Sequence, residues 1–343
     1  MDETILAALP ARLVPWFAAA KRDLPWRRDR EPYHVWVSEI MLQQTRVEAV
    51  VGYYERFLTA LPDIRALADA PEDKLLKLWE GLGYYSRARN LQKAARQILE
   101  RHGGIFPRDA ADIRALAGIG DYTAGAIGSI CFEYPTAAVD GNVLRVVSRV
   151  TGSDAPIDKP ETKKKIAADL SAVYPAGHCG DFTQSLMELG ATVCTPRGAK
   201  CGGCPLADIC AAKREDRVDA LPVKGEKRAR KIEERTVFFL ECDGEVAICR
   251  RPPRGLLASM WQLPNTDGKL EVQSALAAAA DFGVQPIAIE RAVDRVHVFT
   301  HIEWQMTCYY LRCAVRAPAF VWASRAELSD RYALPTAFRQ FVE

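Results

Sequence analysis

Long apolar runs are missing from this chain, so no stretch approaches the roughly twenty residues that a membrane-spanning helix needs. Net charge is almost absent as well. Lys and Arg total 46 against 44 Asp and Glu, leaving +2, so a surface for a polyanion must come from arrangement and not from excess. The start, MDETILAALPARLVPWF, is acidic and lacks the cleavable apolar core of a secretory signal. It is read as part of the fold, and the ten cysteines are expected to stay reduced. Six of them, Cys131, Cys179, Cys242, Cys249, Cys308 and Cys313, mostly sit in apolar or alternating contexts and read as small buried hydrophobes. With 343 residues there is room for two or three domains, each with its own core.

The other four cysteines, Cys194, Cys201, Cys204 and Cys210, follow the spacing C-x6-C-x2-C-x5-C. Only one pair has the C-x2-C form, so the two-pair layout of structural zinc modules is lacking. A 4Fe–4S cluster held by four thiolates fits the uneven spacing better. A pair of disulfides is the alternative, disfavoured for thiols kept in a reducing compartment.

Residues 1 to about 212 read as helix. Val47, Val50, Val51, Tyr54, Phe57 and Leu58 recur with a helical period, and so do Ala88, Leu91, Ala94, Ala95, Ile98 and Leu99. Pro62, Pro71, Gly103-Gly104 and Pro107 mark breaks, and Asp109 is placed to cap a helix running through Leu116. Residues 213–235 include KGEKRARK, five basic residues against one acid, and read as an exposed linker. From 236 to 343 the texture changes to strands. TVFFLEC and EVAICRR flank the hairpin signal Asp243-Gly244, VHVFTHIEWQMTCYYLRC and AFVWA follow, and Leu334–Val342 is expected to close the chain as a helix. An all-α domain followed by an α+β domain is the expected fold class.

LAGIGDYTAGAIGSI (Leu116–Ile130) sets Gly118 and Gly120 between two helices, the second of which points its free N–H groups outward. Such a terminus suits a phosphate oxygen, although a tight helical hairpin without a ligand would look the same. LAGIGDYTA, then AVDGNVLRV (Ala138–Val146), then the four-cysteine loop resemble the helix–hairpin–helix DNA glycosylase superfamily. LPWR (Leu24–Arg27) and SEIMLQQT (Ser38–Thr45) narrow the resemblance to the adenine DNA glycosylases of the MutY family. The likeness spans about Leu13 to Cys210 and continues more weakly to the end.

The resemblance implies hydrolysis of the adenine–deoxyribose bond at adenine opposite 8-oxoguanine or guanine in double-stranded DNA. The protein is then expected to be a monomer in the cytoplasm of a bacterium, associated with the nucleoid and not with a membrane. Glu39 lies in the apolar segment VWVSEIML, where a carboxyl should hold its proton toward neutral pH. By resemblance it protonates adenine N7, and Asp140 stabilises the sugar cation with Asn142 placing water and Asp140. Asp140 in Asp-Gly-Asn could equally be ordinary turn chemistry. Tyr122 stands where the endonuclease III branch holds a lysine, and a phenol cannot form a Schiff base, so strand cleavage is not expected.

Base flipping would bring the target to Glu39. Trp26, Arg27 and Gln184 resemble positions lining the adenine pocket. Gln44 and Tyr84 resemble groups inserted around the opposite base, and Thr45 and Leu82 are expected to contact DNA as well, with Gly118 and Gly120 at the backbone. The cysteine loop would present Arg197 and Lys200 to phosphates. The carboxy-terminal domain resembles a Nudix-like module for 8-oxoguanine. Its region 255–283 has alanines where a hydrolytic Nudix helix carries glutamates, so pyrophosphate hydrolysis is not expected. Phe299, Thr300 and His301 match the loop that would contact 8-oxoguanine, with Thr300 replacing the usual serine. Alternatively, Phe299 and His301 are strand residues sharing a face.

Overall fold

The computed structural model describes residues 3–225 and 229–342. Its contacts divide the chain into two units, Met1–Asp69 with Arg89–Glu226, and Ala70–Ala88 with Lys227–Glu343.

The first unit is built of helices. α1 (Leu9–Ala20), α2 (Pro32–Leu42) and α3 (Val47–Ala60) come first. After α4 (Glu72–Leu78), which belongs to the second unit, follow α5 (Ser86–His102), α6 (Ala110–Ala115) and α7 (Asp121–Phe132). The last are α8 (Gly141–Thr151), α9 (Pro160–Ser171) and α10 (Cys179–Thr192). In α3 the stripe Val50, Tyr54 and Phe57 is buried, as its period requires, and in α5 Ala88, Leu91, Ala94, Ala95 and Ile98 are. Asp109 caps α6 by accepting from Ala111 N at 2.8 Å and Asp112 N at 3.1 Å. α2 is different: Tyr33 and then Val35 through Met41 are all buried, so it runs through the interior with no solvated stripe.

The segment 213–235 is less of a tether than its charge suggests. Leu221 is buried, its carbonyl accepts from Arg149 Nε at 2.9 Å, and Val223 O accepts from Ile157 N at 3.0 Å. Lys231–Arg235 already pair within a sheet. Charged side chains can face water while the backbone beneath them is hydrogen-bonded, and composition records only the former. Residues 226–228 lie outside the described ones.

The second unit holds a mixed sheet of β1 (Lys231–Cys242), β2 (Glu245–Arg250), β3 (Trp261–Gln262), β4 (Asn265–Asp267), β5 (Pro286–Val298), β6 (Ile302–Cys313) and β7 (Val321–Ser324). Its path is β3-β2-β1-β6-β5, with β4 on β1 and β7 on β2, and β1 runs parallel to β6. Asp243 and Gly244 both take positive φ, 51° and 77°, and turn β1 into β2. Along β1, Val237 and Phe239 join one core while Phe238 and Leu240 join the other, which is why TVFFL reads as a continuous apolar run. α11 (Val272–Asp281) covers the second face through Ala275 and Ala279. The other face is filled by Leu334, Ala337, Phe338 and Phe341. The expected closing helix over Leu334–Val342 shrinks to a single turn, Thr336–Arg339, opened by Pro335. Those apolar residues serve the sheet and not a helical stripe.

Candidate active site

A cavity in the first unit gathers side chains far apart in sequence. Glu39 arises from the buried middle of α2, Tyr122 from the first turn of α7, and Asp140 from the N-cap of α8. Trp26 and Arg27 enter on a short 3-10 turn, Pro25–Arg27, and Gln184 projects from α10. Thr45 and Asn142 complete the lining among the residues expected from the sequence.

Glu39 is 6% exposed and accepts a hydrogen bond of 2.5 Å from the Tyr122 hydroxyl. Burial pushes its carboxyl up to about 7 with some help from Asp140, against the pull of Tyr122 and Arg27. Tyr122 is itself raised well above the usual phenol range, first by burial and then by the two carboxylates. Asp140 is raised by burial too, but its oxygens accept from Val143 N at 2.7 Å and Asn142 Nδ2 at 2.9 Å. Donors favour the anion, and Asp140 takes two N–H groups at a helix start where Glu39 takes the Tyr122 phenol amid apolar residues. The pair is therefore unequal, with Glu39 able to give a proton and Asp140 suited to stay charged.

Two further lining residues escaped the sequence reading. Glu188 has a fully buried side chain and accepts from Arg22 N at 3.1 Å, Arg22 Nε at 2.8 Å, Arg22 Nη2 at 2.9 Å and Arg27 Nη2 at 2.8 Å. Burial alone would raise this carboxyl, but the guanidiniums of Arg22 and Arg27 outweigh it and hold it at about 2. The signal was available: Glu188 sits in apolar SLMELG, four residues after Gln184 on the same helix face.

α8 reaches from this cavity to the cysteine loop. Arg145 donates to Asn142 Oδ1 at 2.7 Å, Gly190 O at 2.7 Å and Cys194 O at 2.8 Å. Arg149, one turn on, donates to Cys194 Sγ at 3.4 Å and Thr195 O at 2.8 Å. A Cβ on Gly190 would stand 2.5 Å from the Asn142 Cβ, so only glycine lets α10 come this close. Cys194, Cys201, Cys204 and Cys210 line one small cavity with Arg149, Val193 and Ala207. Among the described residues no trio of His, Cys, Asp or Glu side chains is drawn together as a single ion would require. Four free thiols around a shared apolar space are a donor set of the kind a thiolate-held cluster uses. Arg197 and Lys200 are exposed on this loop.

Gly118 has φ +77°, and a Cβ there would meet Asn90 Cβ at 2.7 Å, so the hairpin between α6 and α7 requires it. Gly120, the N-cap of α7, has open space where its side chain would be. Gln44, just after α2, is exposed with φ 59°.

The remaining expected residues belong to the second unit. Tyr84 has φ 45°, is 46% exposed, and its hydroxyl lies 2.6 Å from Thr300 Oγ1. Leu82 is buried, with its carbonyl accepting from Arg87 Nη2 at 2.9 Å. Phe299, Thr300 and His301 form the turn between β5 and β6, so the shared-strand-face alternative does not apply. Phe299 packs edge-on against Trp304 while Thr300 and His301 are exposed.

Two family descriptions match this chain. The family described as "HhH-GPD superfamily base excision DNA repair protein" matches residues 37–175, and a "NUDIX domain" matches 236–343. The adenine DNA glycosylase of Rattus norvegicus is 33% identical over 93% of this chain and 73% of its own length. That of Homo sapiens is 32% identical over 92% and 69%. Among solved structures, a thermostable thymine-DNA glycosylase superposes with a TM-score of 0.57 at 28% identity, over 62% of this chain and 98% of its own.

Proposed function

The chain belongs to the adenine DNA glycosylases of base excision repair, and from that premise we propose that it is a monofunctional hydrolase. Its substrate is adenine opposite 8-oxoguanine or guanine in duplex DNA of the bacterial nucleoid, and its product an abasic site on an uncut strand. The observation that carries this reading is the shared cavity of Glu39, Tyr122 and Asp140.

Adenine is a poor leaving group as an anion, so a proton must reach its ring as the bond breaks. Glu39 supplies it at N7 while Asp140 faces the cationic sugar. Asn142 bonds Asp140 and orients the water that completes hydrolysis. Trp26, Arg27 and Gln184 enclose the flipped base, with the Gln184 amide matching an adjacent donor and acceptor. Tyr122 lends Glu39 a hydrogen bond but has no amine with which to open the sugar.

Gly118 and Gly120 bring backbone N–H groups to a phosphate, and Gln44, Thr45, Leu82 and Tyr84 act on the duplex around the lesion. Phe299, Thr300 and His301 read the oxidised guanine. Cys194, Cys201, Cys204 and Cys210 hold a 4Fe–4S cluster, whose contribution is to fold the loop bearing Arg197 and Lys200. The enzyme works as a monomer.

Single-turnover assays on duplexes carrying each mispair test the whole reading. Wild type should release adenine without nicking the strand, and Glu39→Gln should lose about a hundredfold to ten-thousandfold in rate. Undiminished excision by Glu39→Gln, or efficient borohydride trapping of a covalent DNA adduct, would count against it.

A further inference from the structure

Among the described residues, Arg27 is the cation that both lines the cavity and pulls on Glu39, so what fixes Arg27 matters to the chemistry. Its short 3-10 turn cannot fix it alone. One end of the guanidinium reaches Arg22 O at 3.3 Å and the other Glu188 Oε2 at 2.8 Å. Glu188 also takes three N–H groups of Arg22, including the backbone amide, so one carboxylate ties down both ends of the segment Arg22–Arg27. That segment carries Trp26, which is 7% exposed and packed edge-on to Tyr54 at 5.5 Å. Arg27 in turn lies over the Phe17 ring at 5.2 Å.

A structural ion pair would usually be placed at the surface, where charges keep their water. Here the carboxylate is wholly buried, lines the reaction cavity, and is spaced one helical turn from Gln184. Two cations on one anion leave a net positive charge beside a space that receives a neutral purine. Uncompensated, either guanidinium would be free to swing and pair with Glu39 or Asp140 instead, quenching the acid.

We propose that Glu188 is a positioning residue of the adenine site: by gripping Arg22 and Arg27 it holds the Arg27 guanidinium at one fixed distance from the flipped base and from Glu39. This rests on the reading of the cavity given above. The groups facing Glu39 are Tyr122 from α7, Asp140 at the start of α8 and Arg27 from the turn, while Glu48 of α3 also acts on Arg22. Of these, Arg27 and Tyr122 restrain the Glu39 proton and Asp140 strengthens its hold. Arg27 freed from Glu188 therefore pulls harder on Glu39, which gives up its proton at lower pH.

The test is single-turnover excision against pH for wild type, Glu39→Gln, Glu188→Gln and Glu188→Asp on an adenine·8-oxoguanine duplex. Glu188→Gln is expected to be about tenfold to a hundredfold slower at pH 7, with the descending limb of its profile displaced to lower pH. A part played only in stability would lower the melting temperature without displacing that limb. Glu188→Asp keeps the buried charge but withdraws it by one methylene, so it covers the case in which Glu188→Gln does not fold. A smaller loss and a displacement in the same direction are expected. An unmoved limb in the folded variant, or wild-type rates, overturns the proposal. If wild type is active, Glu39→Gln silent and the Glu188 variants normal, only this inference fails; if wild type releases no adenine, the site reading fails first.

Discussion

Glu39 and Glu188 are both carboxyls in apolar helices, yet burial raises one to about 7 while two guanidiniums hold the other at about 2. The difference lies in which partners reach them, and it fixes how each should respond to pH. Excision that needs a protonated Glu39 and a charged Asp140 should fall as pH rises through about 7, and fall again in acid as Asp140 takes up a proton, in single-turnover measurements. Tyr122→Phe removes a bond that favours the charged form of Glu39, so the fall near 7 should shift to higher pH; a shift to lower pH would contradict the assigned direction of the bond. Stability follows the same sign. Glu39 sits above its ordinary 4.5, so its contribution is complete below that value and is lost as pH rises through about 7. Glu39→Gln should therefore raise the melting temperature at pH 8 and leave it nearly unchanged at pH 4. An acid stranded among apolar residues was readable in VWVSEIML. The same signal in SLMELG was passed over, because the arginines that give Glu188 its meaning lie some 160 positions away.

At the scale of the element, Asp140 does two things at once, capping α8 and facing the cavity. Asparagine caps a helix about as well as aspartate. Asp140→Asn should thus melt close to wild type while losing excision, whereas Asp140→Ala should also lose about 1 kcal/mol of stability in thermal or urea unfolding. The hairpin before α7 permits an independent check. Gly118→Ala meets both a left-handed φ and the Asn90 side chain, and should cost about 1–3 kcal/mol with little direct effect on the acid. Elements with one buried face, such as α3 and α5, were legible from period alone. The terminal segment was not. Its apolar residues obey the needs of a sheet that only long-range pairing creates, and Pro335 limits the helix to one turn. Likewise, the backbone bonds that secure residues 221–223 leave no trace in a charged, weakly apolar stretch.

For the molecule as a whole, a small net charge means that DNA affinity comes from placed cations, and binding should still weaken steeply as salt rises. An affinity indifferent to salt would contradict backbone docking. Purified protein should carry about four irons with absorption in the blue, and Cys204→Ser should lose both; zinc in place of iron would contradict the reading of the thiol cavity. The passage from helix to sheet showed in the sequence as a change of texture near residue 236, although β1 begins at Lys231. The inclusion of 70–88 with the sheet was not, since it depends on pairings such as Asp73 with Arg250. α8 is an eleven-residue rod whose first turn begins at Asp140 and whose arginines grip the peptide around Cys194. On the proposed reading, oxidative loss of a group held by the four thiols would misplace Asp140, and an oxidised sample is expected to retain DNA while losing excision.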